Sequence, residues 1–339
     1  MNRPLVTLIF PCYQQSRFVR EALGSVLLQT YSPLQIVISD DCSTDGTYKI
    51  VKRMVEAYDG PHQVKLHRNA TRMGVENYNT LMELADGEFI VVAHSDDVSM
   101  PHRCERLIRA WQQNDVSLLA SNAYWITNRG QYIRKKNPPD PGHPPNIHEM
   151  ARYGRIKHIG GPTLAWERAV FDTFGPLSNK KSPFITDWIL PFRAALLKGI
   201  YYIDEPLLNI RMHTGARSRI FLGYQDHDAN QETSLANRLT QFLYFYETLI
   251  NSRDDIDLKE STLTEIKLTL EDSIFRTATA WSETRNYLIN EQRRNIWLRH
   301  NDYLALGLIK QALRKRFGKN AAYWRNCLLN LLRILKLKN

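Results

Sequence analysis

With 339 residues, 43% of them apolar and 24% charged, the chain has the composition of a folded globular protein rather than a disordered one. Its formal net charge of +10 is carried by one end: from Tyr303 to Asn339 there is no acidic residue and there are nine basic ones, and removing those nine from the 45 lysines and arginines leaves 36 against 35 acidic residues. A near-neutral body argues against nucleic-acid binding, no apolar run approaches the roughly 20 residues that span a bilayer, and Cys12, Cys42, Cys104 and Cys327, scattered without a CxxC pair, point to a reducing cytosol and away from zinc.

The first predicted strand is Leu5 to Phe10, apolar and β-branched, stopped by Pro11. The apolar run is too short for a secretory signal, so it is read as the first strand of the fold. A helix is expected from about Ser16 to Leu28, with Ser16 as its cap and Phe18, Val19, Ala22, Leu23 and Val26 on the buried face. A second strand, Gln35 to Ser39, runs into the acidic loop Asp40-Asp41-Cys42-Ser43-Thr44-Asp45-Gly46. The next helix carries Ile50, Val51, Met54 and Val55 on one side, with Asp45 as its cap. A strand at Val64 to His67, a helix at Val75 to Ala85 and a strand at Phe89 to Val92 complete a strand–helix alternation, the pattern of a parallel sheet with right-handed crossovers.

Phe89 to Val92 has four apolar residues and no polar alternation, as a central strand covered on both faces requires. His94, Ser95, Asp96 and Asp97 follow it, and Pro101 marks a helix start. Two acidic loops therefore stand at the carboxyl ends of strands in one parallel sheet, which is the edge where such sheets bind ligands. Adjacent carboxylates repel, and burying both is costly without a cation or hydrogen-bond donors. A divalent metal carrying phosphate is one such cation.

The segments LVTLIFPCYQQSRFVREALGSVLLQTY, IVISDDCSTDGT, NATRMGVENYN and GEFIVVAHSDDVSMPHR resemble, in order and spacing, the nucleotide-sugar half of family 2 glycosyltransferases with the GT-A fold. GGPTLAWERAVFDTFGPL and TDWILPFRAALLKGIYYIDEPLLNIRMH resemble that family's acceptor half, so the likeness covers roughly Leu5 to Ser218. The resemblance implies a Rossmann-like, mostly parallel sheet flanked by helices. It divides the front of the chain into a nucleotide-sugar half (1–100) and an acceptor half (101–222), and the remainder (223–339) reads as an α-helical appendage outside the family's common core. It also implies inverting transfer from a nucleotide diphosphate sugar, a UDP-sugar first, of a hexosyl or N-acetylhexosaminyl group to a saccharide or lipid-linked saccharide.

By similarity Pro11, Tyr13, Asp41, Asn77 and Asp96 would contact the donor. Tyr13 would pack on the base, Asp41 would accept the base N–H, and Asp96 would meet the ribose. Asp97 and His213 would hold Mn²⁺ or Mg²⁺, hard cations suited to oxygen ligands. Arg211, Arg217 and Arg219 stand near enough in sequence to meet phosphate, and a solvated basic loop is the other reading of them. The chain departs from the family at three places: His94 replaces a further Asp, Asn77 and Asn79 stand where relatives have Arg, and Thr186 precedes Asp187 where an acidic residue is common. Read from the residues alone, Tyr13 could equally cover the sheet edge and Asp40 or Asp41 cap a helix, while His94 reads as a packed, hydrogen-bonded histidine.

KKNPPDPGHPP, Lys135 to Pro145, cannot hold a helix or a central strand and reads as an exposed loop over the site or a plain connection. Ile159 to Pro162 forms a tight approach whose glycines would let an acceptor come close. Asp187 opens the helix DWILPFRAALLKG, whose amino end favours a carboxylate and would keep its pKa low. A capping role competes with that of general base, and the resemblance selects the base.

Past Gly223, helical spacing recurs at Leu235 to Ile250, Leu263 to Trp281, Tyr303 to Phe317 and Ala321 to Leu337. The basic, amphipathic end suits an anionic membrane surface, here the cytoplasmic face of an inner membrane, through 303–339. Packing on its own domain or on a second copy of the chain is the other reading. Two further function classes stand beside the transferase. A sugar nucleotidyltransferase would need a glycine-rich basic loop where PCYQQSR stands, and a non-catalytic module would only bind nucleotide, membrane or partner.

Overall fold

The structure, a computed structural model, describes residues 3–138, 146–154, 159–178, 185–213 and 229–290. The amino-terminal third alternates as its pattern demands: β1 (Val6–Cys12), α1 (Val19–Leu27), β2 (Leu34–Asp40), α2 (Thr47–Glu56), β3 (Gln63–Arg68), a 3₁₀ turn at Gly74–Glu76 running into α3 (Asn77–Leu84), and β4 (Phe89–Val92). β1 lies between β2 and β4 and pairs with both in parallel, Cys12 opposite Asp40 and Ile9 opposite Val92. Both faces of these strands are buried, which explains the missing polar alternation. Phe89 and Val91 feed one apolar cluster with α1 and α4 (Arg103–Gln113), while Ile90 and Val92 feed the other with α3.

The second part supplies β5 (Val98–Ser99), β6 (Leu118–Ile126), β7 (Tyr132–Lys135), α5 (Ile147–Tyr153), β8 (Leu164–Glu167), α6 (Ala169–Asp172), α7 (Ile185–Leu196) and β9 (Ile200–Arg211). Among the described residues the sheet order is β3-β2-β1-β4-β8-β6-β9-β5, with β7 on β6. The sheet is more mixed than the mostly parallel one expected. β8 runs antiparallel to both β4 and β6, and β5 runs antiparallel to β9. Beyond β4, then, sheet pairing no longer follows the strand–helix alternation that marks the first four strands.

Ser16 is not a helix cap. α1 begins at Val19 after Phe18, without a side-chain cap, and the Ser16 N–H donates instead to Asp45 Oδ2 at 3.0 Å. Asp45 does serve the entrance of α2, accepting the Thr47 N–H at 3.0 Å. Lys135 closes an exposed edge strand, where proline-rich sequence is tolerated, and residues 139–145 lie outside the described residues.

α8 (Ala229–Asn251) and α9 (Glu260–Asn290) take up the first two predicted carboxyl-terminal helices. Their apolar faces do not stand apart from the sheet. Phe242, Phe245, Ile266 and Leu270 share one core with Ile189, Leu190 and Phe192 of α7 and with Ile90 and Val92 of β4. Phe192 stacks on Phe245 with centroids 4.0 Å apart. The Tyr303–Phe317 and Ala321–Leu337 segments, and the membrane expectation with them, lie outside the described residues. No helix among the described residues is long and apolar enough to cross a membrane.

Candidate active site

Three strand ends build the rim. Asp40, the last residue of β2, is fully buried. Its Oδ2 accepts the Ser43 N–H at 2.9 Å and lies 3.4 Å from Arg68 Nε, so it holds the turn and does not face the rim. Asp41 comes next, its N–H bonded to Cys12 O at 2.8 Å. Its carboxylate accepts from Asn69 Nδ2 (2.9 Å), Met73 N (2.7 Å) and Gly74 N (2.8 Å), tying down the loop after β3. Three of roughly four lone-pair sites are then used, which leaves room for one more donor. The Arg72 guanidinium lies 4.4 Å from the centroid of the Tyr13 ring, directly after β1. Pro11 lies within β1 opposite Ser39.

Asn77 was expected on the donor, and its side chain is bonded within the protein. At 2% exposure, its Oδ1 accepts from Ser39 Oγ (2.5 Å) and Asn69 Nδ2 (2.8 Å). It orients Asn69 and, through Asn69, Asp41. Asn79 closes a two-way bond with the Leu177 backbone at 2.8 Å each way, far from any phosphate role. Asn69 and Arg72 escaped the sequence reading. Both lie in the quoted NATRMGVENYN stretch, and the available signal was a polar residue directly after a strand on the same rim.

The second acidic loop follows β4. Asp97 N bonds His94 O at 3.2 Å, closing a turn, and β5 then pairs with β9, Ser99 opposite Leu208. That pairing carries residues from more than a hundred positions away onto the acidic pair. Arg211 N donates to Asp97 Oδ1 at 2.9 Å, Arg211 Nε to Asp96 O at 3.0 Å, and His213 Nε2 lies 3.0 Å from Asp96 Oδ2. Arg211 is not a phosphate ligand. Its side chain is 2% exposed and its guanidinium is spent on Glu21 Oε2 at 2.6 Å and on backbone carbonyls. Arg217 and Arg219 lie outside the described residues. His213, expected with Asp97 as a metal ligand, lies against Asp96, the neighbour of Asp97, and against the Phe18 ring.

His94, 3.1 Å from the Tyr78 hydroxyl through Nε2, completes the group. His94, Asp96 and Asp97 can each offer one ligand atom, all within 4.8 Å of one another. Burial, and next the charge of Asp96, pushes the Asp97 carboxyl well above its ordinary range, although the Arg211 N–H and the Arg103 and Arg211 charges pull the other way. For Asp96 burial also pushes upward, but the hydrogen bond from His213 and the charges of His94 and His213 more than offset it and hold the pKa below the usual value. A buried, like-charged pair with oxygen donors and one imidazole fits a hard divalent cation, which would relieve the repulsion that raises Asp97.

Asp187 stands in the first turn of α7, and its Oδ1 accepts the Gly161 N–H at 2.7 Å. A Cβ at Gly161 would lie 2.2 Å from that oxygen and 3.4 Å from His94 Cε1, so a single methyl group there would touch both side chains. The glycine was expected to admit an acceptor, but it is the Asp187 carboxylate that comes close. Lys136, just past β7, faces Asp187 as well. Burial brings its pKa down to about 8 while the Asp187 charge opposes the shift. Asp187, His94, Asp96, Asp97 and His213 therefore gather at one place. Asp41, after β2, sits on the far side of β1, two strand spacings or about 10 Å along the same rim, and Tyr13, directly after β1, stands between.

A family model described as glycosyl transferase family 2 matches residues 7–175. Among curated proteins, the chain is 26% identical over 210 residues to a glycosyltransferase of Nostoc sp., covering 61% of this chain and 65% of that protein. It is 31% identical over 137 residues to the Escherichia coli UDP-Glc:alpha-D-GlcNAc-diphosphoundecaprenol beta-1,3-glucosyltransferase WfgD, covering 40% and 51%. The chain thus spans about half to just under two thirds of the length of these relatives. Among solved structures, S. aureus TarS 1–349 in complex with UDP-GlcNAc is similar at a TM-score of 0.58 and 16% identity, over 97% of this chain and 89% of that one. The mannosyltransferase PcManGT of Pyrobaculum calidifontis, with GDP-Man and Mn²⁺, is similar at 0.50 and 15%, over 98% and 86%. At these identities the structural likeness establishes the fold, GT-A with a helical carboxyl-terminal region.

Proposed function

Because the chain belongs, through residues 7–175, to glycosyl transferase family 2, we propose that it moves a sugar, with inversion, from a nucleotide diphosphate sugar to a hydroxyl of a saccharide or lipid-linked saccharide. The observation that carries this reading is the Asp187 carboxylate held by the Gly161 N–H, at a glycine where a Cβ would also lie 3.4 Å from His94, which groups with Asp96 and Asp97. A carboxylate so placed can take the proton of an acceptor hydroxyl. The oxygen then bonds to the anomeric carbon from the face opposite the leaving group, the bond from that carbon to the diphosphate oxygen breaks, and the nucleoside diphosphate departs with that electron pair. Backbone donors fix Asp41 before the donor arrives, so its remaining acceptor site can take a base N–H without reorganisation, and Tyr13 with Arg72 walls the base.

His94, Asp96 and Asp97 would hold the divalent cation, and bound there it would neutralise charge on the departing diphosphate. UDP is the favoured nucleotide, since TarS is solved with UDP-GlcNAc and WfgD is named for UDP-Glc. On this reading the basic run from Tyr303 to Asn339 brings the enzyme to the cytoplasmic membrane face where a lipid-linked acceptor lies. The test is consumption of UDP-sugars with Mn²⁺ and acceptor. Asp187→Asn should bind donor normally and transfer none, and full transfer by that variant would refute the assignment.

A further inference from the structure

Arg103, in the first turn of α4, is fully buried, an uncommon place for a guanidinium. Burial is the main influence on it, and with Cys104 and then Asp97 opposing that influence its pKa is lowered only to about 10, so it remains a cation at neutral pH. Its two terminal nitrogens go to different parts of the molecule. Nη1 donates to Ser99 Oγ at 3.1 Å, on the strand directly after the acidic pair, and Nη2 donates to Pro162 O at 2.7 Å. Pro162 follows Gly161, whose N–H holds Asp187 Oδ1. Ser99 is itself anchored, its N–H bonded to Ser25 Oγ at 3.0 Å. One planar group therefore joins the loop bearing Asp96 and Asp97 to the turn bearing the contact to Asp187. A buried cation is expensive unless its charge and donors are used. Here Asp97 opposes the effect of burial and the two terminal nitrogens span the two halves of the site, while the buried Nε has no hydrogen-bond partner among the described residues.

We propose that Arg103 is a positioning residue, setting the distance between the Asp96–Asp97 loop and Asp187 by bonding Ser99 and the Pro162 carbonyl at once. The proposal rests on the reading of Asp187 as base and Asp97 as cation ligand. Lysine at this position would keep a cation against Asp97 but could not span both acceptors with a rigid fork.

Arg103→Lys and Ser99→Ala are compared with the wild-type full chain in three measurements: transfer kinetics, Mn²⁺ and UDP-sugar binding by calorimetry, and amide hydrogen exchange. Arg103→Lys should bind Mn²⁺ and donor within about threefold of wild type, with kcat lowered about 10- to 100-fold, as expected for a misplaced base. Exchange should quicken in the segment 159–166 and not across the sheet. Ser99→Ala, which cuts one tether, should show the same local exchange and a smaller kcat loss, and it carries the test should Arg103→Lys not fold. Wild-type kcat in Arg103→Lys, or unchanged exchange over 159–166 in the folded variants, would overturn the proposal. So would a kcat loss matched by equal loss of donor binding and by quickened exchange throughout, since a merely structural residue behaves so. If the wild-type chain transfers no sugar, the functional reading fails instead, and the exchange data still decide the tether.

Discussion

Alanine at Gly161 would place a methyl carbon where the Asp187 carboxylate now lies. The built Cβ stands 2.2 Å from Asp187 Oδ1, and real Cβ contacts essentially never fall under 3.0 Å, so the oxygen or the turn must retreat by at least about 0.8 Å (3.0 minus 2.2 Å). The backbone of Gly161 itself does not require glycine, because its φ is not in the left-handed region, so the effect is steric and aimed at one side chain. A displacement of about 1 Å at a reacting group costs on the order of 100-fold in rate, about 2.7 kcal/mol. The Gly161→Ala variant should therefore release nucleoside diphosphate about 100-fold more slowly under saturating donor and acceptor. Its donor affinity should stay within about twofold, because Tyr13 and Asp41 follow β1 and β2, one and two strands away from the β4 loop. Gly160→Ala is the matched control: φ there is −151°, extended backbone any residue adopts, and a Cβ meets nothing within 4 Å. A Gly161→Ala rate within threefold of wild type, or an equal loss in Gly160→Ala, would refute the placement of Asp187 as base.

Asp97→Asn should raise the melting temperature of the metal-free protein near neutral pH by a few degrees and abolish the further rise that Mn²⁺ gives the wild type, both read by thermal denaturation. The sign follows from Asp97, whose carboxyl burial and Asp96 hold well above its ordinary value of 3.8. An acid raised in the fold stabilises it below the unfolded pKa and loses that contribution as pH rises through the folded one, so this carboxyl weakens the metal-free fold at neutral pH and asparagine removes the titrating group. Phe245→Ala breaks the 4.0 Å stack on Phe192 and should cost about 3–5 kcal/mol in urea unfolding. An unchanged urea midpoint would show that α8 does not buttress α7.

Much of the first hundred residues was legible because the deciding forces there are local. An all-apolar β4 means two covered faces, and a polar break after it means the carboxyl edge, so Asp41, Asp96 and Asp97 could be put on one rim before any coordinate was known. The placement of Asp187 beside them came from resemblance, and its position in the first turn of α7 agrees with the helix read from the sequence. Ser16 was misread because its N–H serves the neighbouring acidic loop rather than its own helix, a choice made only when the two strand ends are side by side.

Pairing at a distance decided the rest. Nothing in HSDD or NIRMH specifies that β5 will bond to β9, yet that ladder sets Arg211 N on Asp97 and His213 on Asp96, and removes Arg211 from phosphate chemistry by burying it against Glu21. In the same way, the spacing of GGP announces a close approach without naming the atom that approaches. A chain reveals by itself which faces its segments must bury, since that follows from side chains a few positions apart. Which polar groups then meet depends on contacts between segments remote in sequence, and those are settled only when the sheet closes.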